Sequence, residues 1–152
     1  GLYDVIHLDN TPDPSVRPNQ LFAATLDPDL LTNAEAKAVV DVVERELWTP
    51  YGLRTLSPAD GAYRSRYEGD AFSRDTAYHQ GTVWAWLAGV FADARARVYG
   101  DAAPPLDLSA LVASMNDYGI GGIAEIFDGD PPHRPNGCPW QAWSVAEVLR
   151  VL

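Results

Sequence analysis

The sequence predicts an all-α fold. Apolar residues recur at helical spacing in several separate stretches. The clearest of these is preceded by a capping-box pattern, Thr32 with Glu35. Glycines stand where helices should stop, at Gly100 and Gly119.

Taken in order, Gly1–Pro14 reads as an extended arm, with Leu2, Tyr3, Val5 and Ile6 able to make one strand before the turn-rich NTPDP. Pro18 suits a first helical turn, and Leu21, Phe22, Ala24 and Leu26 suggest a short helix. Ala36, Val39, Val40, Val43 and Leu47 then mark a helix over Asn33–Trp48, ended by Thr49-Pro50. On it Asp41 precedes Arg45 at i, i+4, the better orientation for an ion pair.

Trp48–Tyr78 has no sustained period and reads as a long loop. Its four tyrosines argue against disorder, so a functional loop is expected. A helix over His79–Gly100 follows, with Val83, Leu87, Val90, Phe91, Ala94 and Val98 on one face. Leu108, Leu111, Val112 and Met115 mark another. Val145, Val148, Leu149 and Leu152 mark the last.

Composition narrows the function classes. A length of 152 residues is one domain's worth and enough for a core. The formal net charge of −10, with scattered basic residues, argues against nucleic acid as a partner. The longest apolar run, Thr82–Ala92, is too short to span a bilayer, so no membrane partner is expected. No basic and apolar leader opens the chain, and a cytoplasmic location is the expectation. Cys138 is the single cysteine, which excludes an internal disulfide. Asp128 and Asp130 lack the spacing of a calcium loop and read as solvated acids. His7 and His133 have no partners for a zinc site, and no nucleotide-binding motif is present. No metal or cofactor is expected.

The stretch richest in chemistry is Gly119–Val148, GIGGIAEIFDGDPPHRPNGCPWQAWSVAEV. It sets Glu125 behind Gly119, Gly121 and Gly122, and follows it with Trp140, Gln141 and Trp143 on a loop and helix start. Aromatic faces beside a carboxylate suit a sugar, whose C–H faces stack on rings while its hydroxyls take hydrogen bonds. The plain alternative is a solvated glutamate on a surface loop.

The segments GIAEIFDGD, GC and QAWSVAEVLR resemble the C-terminal signature of the glycogen debranching enzymes, in their amylo-α-1,6-glucosidase domain. VRPNQLFA (Val16–Ala23) and the motifs LWTPYGLRTLSPAD and RDTAYHQGTVW (within Leu47–Trp84) agree, in order and spacing. The likeness runs from Gly1 to Leu152. It implies that residues 1–152 form the C-terminal part of an (α/α)6 toroid of helical hairpins with long functional loops. It implies hydrolysis of α-1,6 branch linkages in an α-glucan, by an inverting mechanism whose two carboxylates stand roughly 6.5–9.5 Å apart.

By the same resemblance Glu125 is the general base, and the general acid, an aspartate, lies upstream of these residues. The chain alone is therefore expected to be inactive, and exposed edges of a partial ring are expected to drive self-association. Arg17 and Asn19 match the RPN motif, as sugar contacts or loop clamps; otherwise Arg17 pairs an acid and Asn19 caps a turn. Asp60 meets sugar hydroxyls or a nearby arginine. Tyr78, His79, Gln80 and Trp84 are expected to bind glucose at the cleavage subsite, with His79 and Gln80 opening a helix; otherwise His79 caps that helix and Trp84 packs in the core. Gln141 is expected to orient Glu125 or touch sugar, and Trp143 to be core. Ala85 and the pair Pro139-Trp140 depart from the family pattern beside the site. Competing readings are a non-catalytic helical carbohydrate-binding domain and an α-glycosidase of another linkage; an upstream reading frame carrying the acid would separate them.

Overall fold

The computed structural model describes all 152 residues, Gly1–Leu152. The N-terminal arm is a two-stranded antiparallel hairpin, β1 (Val5–Ile6) against β2 (Pro12–Asp13). Helix α1 (Gln20–Thr25) follows, then α2 (Asn33–Leu47). Both halves of the Thr32–Glu35 capping box form, and Ala36, Val39, Val40, Val43 and Leu47 are all buried, as the apolar stripe requires. Asp41 does not pair with Arg45. It accepts from Lys37 one turn earlier at 2.7 Å and from the Tyr99 hydroxyl at 2.6 Å, while Arg45 turns to Glu46.

The segment read as a structureless loop carries β3 (Trp48–Thr49), β4 (Gly52–Arg54) and helix α3 (Ala71–Ala77), which is N-capped by the Asp70 carboxylate. Strand β5 (Val83–Trp84) comes next, and α4 (Leu87–Tyr99) ends at Gly100 with φ +54. The expected helix over His79–Gly100 therefore begins eight residues late. Helix α5 (Ser109–Ala113) continues into a short 3-10 turn, Ser114–Asn116. Strands β6 (Ile126–Phe127) and β7 (Pro135–Asn136) form a hairpin, and α6 (Ala142–Val151) closes the chain.

The all-α expectation is wrong. The chain is mixed α/β: six helices with two antiparallel sheets, the larger in the order β3-β4-β5-β6-β7. Neither an all-helical architecture nor a set of helical hairpins describes it. The reason lies in strand length. Strands of two or three residues are too short to display a period of two, so Val83 was counted onto a helical face and Ile126–Phe127 onto a loop.

The larger sheet separates two cores. Leu53, Trp84 and Ile126 stand in register across β4, β5 and β6 and face one core, with α1, α2 and α4 packed against them. One residue along, Val83 and Phe127 are also in register and face the other core, with Leu108, Leu111, Ile123 and Val148. Alternation across the strand thus assigns neighbours to opposite cores.

Candidate active site

Glu125 lies one residue before β6, and its backbone N–H donates to the Cys138 carbonyl at 2.9 Å, so the β6–β7 hairpin sets its place. Its side chain is half-buried and held at both oxygens. Oε2 accepts the Cys138 backbone N–H at 3.1 Å, and Oε1 accepts Gln141 Nε2 at 3.0 Å. Gln141 occupies the N-cap of α6 without capping it, which leaves its amide for the carboxylate.

The turn under Glu125 depends on Gly137. Its φ of +71 favours glycine, and a Cβ there would stand 2.5 Å from Glu125 Oε2. The Tyr118 hydroxyl braces this turn by donating to the Gly137 carbonyl at 2.8 Å. On the other side lies Tyr78. Burial, and then the neighbouring Glu125 carboxylate, push the pKa of its phenol well above the ordinary value, so it stays a neutral donor.

Tyr78 also joins Glu125 to a row of rings. Its carbonyl accepts Trp84 Nε1 at 3.0 Å, and its ring meets Trp84 edge-on at 4.8 Å. His79 lies parallel to Trp84 at 5.3 Å, Trp143 meets Trp84 edge-on at 5.9 Å, and Trp86 stacks on Trp143 at 5.1 Å. With Asn19 and Phe22 these rings border a cavity of about 200 Å³. Two chain links hold Glu125 near this row: Trp84 pairs in the sheet with Ile126, the residue after Glu125, and Gln141, which binds Glu125, is the N-cap of the helix that carries Trp143.

The proposed subsite residues separate on inspection. Tyr78, His79 and Trp84 lie together, with Tyr78 at the C-cap of α3 and none of them opening a helix; Trp84 is 6% exposed and packs in the core, the alternative reading of that residue. Gln80 is tied down, since its Oε1 accepts Arg17 Nη2 at 2.7 Å. Arg17 is a clamp: it also donates to the carbonyls of Thr55 and His79 at 3.1 and 2.7 Å and pairs with Asp4 at 3.5 Å. Asn19 donates to the same Asp4 at 2.9 Å and makes no side-chain cap. These residues line a neighbouring polar cavity of about 410 Å³. Asp60 is not bonded to Glu125 or to the aromatic row. It accepts from Ser15 Oγ at 3.2 Å and from the Ala62 N–H at 2.8 Å, in a turn, and pairs with no arginine.

Two side chains differ from expectation. Trp143 is 45% exposed rather than core, its outer face open beside Trp86. Asp128 is 0% exposed rather than solvated, and it gathers five donors: Tyr67 N at 2.9 Å, Arg134 Nε at 2.9 Å, Arg66 Nη1 at 3.2 Å, Asn136 Nδ2 at 3.2 Å and, at one remove, His133, whose Nδ1–H donates to the Asp128 carbonyl at 2.8 Å. This knot fastens the β6–β7 hairpin to the 63–68 segment. The arginines Arg66 and Arg134 were visible in the sequence, but nothing in their spacing pairs them with Asp128. Phe22 and Trp86 also join the row, and their spacing in the sequence carries no signal that sets them there.

The profile of the family described as Amylo-alpha-1,6-glucosidase matches residues 1–150. The chain belongs to that family. The match contains Glu125 and the whole aromatic row. The chain is also similar to the glycogen debranching enzyme of Saccharomyces cerevisiae, 35% identical over 175 aligned positions. That alignment takes in 98% of this chain and 11% of the yeast protein, so the chain spans about a ninth of the length of that relative. Family membership accounts for the resemblance carried by the RPN, HQGTVW, GIAEIFDGD and QAWS segments. No helix is long and apolar enough to cross a membrane.

Proposed function

We propose that this site takes part in hydrolysing α-1,6-glucosidic branch linkages of an α-glucan such as glycogen, with Glu125 as the general base of an inverting reaction. The observation that carries the reading is the Glu125 carboxylate, oriented by Gln141 and Cys138 N–H and set beside the Tyr78–Trp84–His79 rings. A glucosyl ring at the cleavage subsite packs its C–H face on His79 and Trp143, the exposed rings of the row, with the buried Trp84 behind them, and its hydroxyls are met by Tyr78 and the loop that Arg17, Asn19 and Gln80 hold in place. Glu125 takes a proton from the water that attacks the anomeric carbon. Its two protein donors fix its direction while leaving lone pairs for that water.

Inversion needs a second carboxyl group to protonate the leaving oxygen. Neither acid of the adjoining polar cavity is free for this: Asp4 is engaged by Arg17 and Asn19, and hydrogen bonds from Ser15 hold the Asp13 carboxyl below the ordinary carboxylate range. The proposal therefore assigns the acid to polypeptide outside these residues, and the isolated chain is expected to release little glucose. Val145, Leu149 and Leu152, exposed along α6, favour its self-association; a monodisperse monomer by light scattering would contradict that.

The test is glucose release from a glycogen limit dextrin by a polypeptide containing the complete catalytic domain. Glu125→Gln keeps shape and hydrogen bonding but cannot accept the proton, so kcat should fall by about 10²–10⁴ with KM nearly unchanged. Undiminished kcat would remove Glu125 from the role, and release of the α-anomer would exclude inversion. Robust release by residues 1–152 alone, abolished by the same substitution, would show that the acid lies within them.

A further inference from the structure

Gly119, Gly121 and Gly122 have a partner the sequence did not name, the indole of Trp140. A Cβ at Gly119 would stand 2.8 Å from Trp140 Cδ1, and one at Gly122 would stand 2.9 Å from Cγ and Cδ2. At Gly121 it would lie 3.7 Å from Cη2. The three glycines thus form a bed for the ring, and side chains at Gly119 or Gly122 would lift it away. Yet Trp140 is 61% exposed, and no aromatic side chain of the protein stacks on it. A tryptophan seated flat on backbone, with its outer surface in water, has a large apolar face with no partner.

Its position gives that face a use. Trp140 lies between the two residues that hold the base: Cys138, whose N–H donates to Glu125 Oε2, and Gln141, whose amide donates to Oε1. It is outside the row formed by Trp84, His79, Trp143 and Trp86, all of whose ring pairs close among themselves and with Phe22 and Tyr78. The base is therefore flanked by two aromatic surfaces that share no ring pair.

We propose that Trp140 is a second sugar platform, which takes a glucosyl unit of the glucan chain other than the one held by His79 and Trp143. This rests on the reading of the site as glucan-binding and adds a specificity: affinity should grow when the ligand is long enough to reach Trp140.

The experiment is titration of the full chain with maltopentaose carrying one α-1,6-glucosyl branch, and in parallel with glucose, followed by the indole N–H resonances and by calorimetry. The expected result is a shift of the Trp140 signal, identified by its loss in Trp140→Phe, with the branched oligosaccharide and not with glucose. Trp140→Ala should weaken oligosaccharide binding about tenfold, the equivalent of one stacking contact of roughly 1.4 kcal/mol. Trp140→Phe should keep most of the affinity. Gly122→Ala, which removes nothing from Trp140 but unseats it, should reproduce the loss. If the oligosaccharide shifts the Trp84 signal but leaves Trp140 unmoved, and Trp140→Ala binds normally, the platform is refuted while the glucan site stands. If it shifts neither, both fall. A loss in Trp140→Ala that Trp140→Phe does not recover, with no shift of the Trp140 signal, would mean a structural role and would also overturn the proposal.

Discussion

Gln141 Nε2 donates to Glu125 Oε1 at 3.0 Å, joining the N-cap residue of the last helix to the segment that enters β6. Because Gln141 does not cap α6, this bond serves the carboxylate rather than the helix. Gln141→Ala should lower kcat about tenfold, an effect of roughly 1.4 kcal/mol on the barrier, and change Tm by little. A parallel assay of glucose release and thermal unfolding separates this from general destabilisation; a drop in Tm with kcat intact would mean that the bond is structural.

Gly137→Ala acts on the same carboxylate from the opposite side. The new Cβ meets Glu125 Oε2, and the residue is held at φ +71. Left-handed backbone costs a non-glycine residue about 1–2 kcal/mol. The displaced carboxylate should in addition cost more than tenfold in kcat, since small misplacements of reacting groups are expensive. Urea unfolding reads the first effect and initial rates the second.

Asp128→Ala should be the most damaging single change outside the hydrophobic cores. It strips Arg66, Arg134, Asn136 and the Tyr67 N–H of a fully buried acceptor, at a cost of about 3 kcal/mol. Arg134→Ala should cost under about 1 kcal/mol, because that side chain is 54% exposed and Arg66 remains. Equal midpoints for the two variants in urea would show that Asp128 is not the centre of the knot.

Acid should loosen this knot through His133. Burial depresses its pKa below the ordinary 6.5 and outweighs the bond to the Asp128 carbonyl, which acts the opposite way; the Arg54 and Arg66 charges add smaller lowering effects and Asp130 a small raising one. The folded protein therefore binds the proton less readily than the unfolded chain. Its contribution is complete above pH 6.5 and shrinks as pH falls from there toward the lower folded value. His133→Asn, which tolerates the φ of +55 at this position, should flatten the fall in urea midpoint between pH 7 and pH 5. Parallel curves for variant and parent would exclude His133 as the cause.

What the sequence showed and what it hid divide along physical lines. Helix α2 was legible because fifteen residues give a period of 3.6 room to repeat, and because its capping box is a local, four-residue device. The C-cap at Gly100 was legible for the same reason. The five-strand sheet was not, since each strand is held by neighbours distant in sequence and is too short to carry a pattern. In the site, Glu125, Tyr78, His79, Trp84 and Gln141 do come together, but periodicity could not have assembled them; the family motifs pointed to them. Asp128 was misread because an acid in a Gly-Pro-rich loop is normally solvated, and only the fold brings Arg66 and Arg134 to it. Asp60 matched a motif in position, yet its carboxylate closes a turn with Ser15 and Ala62.

The pairing of Trp84 with Ile126 has a consequence for how such chains can vary. Between these two residues the polypeptide leaves the sheet, builds α4 and α5, and returns to the next strand. Register at the strand stubs, not contour length along the excursion, sets the spacing between the aromatic row and Glu125. Residues can therefore be gained or lost around Gly100–Pro105, where the chain is mostly exposed, with the spacing between Glu125 and the aromatic row kept. The same arrangement makes assembly late: the Glu125 carboxylate has no address until the long loop closes and β6 finds β5, so the surroundings of Glu125 should be among the last to order during folding.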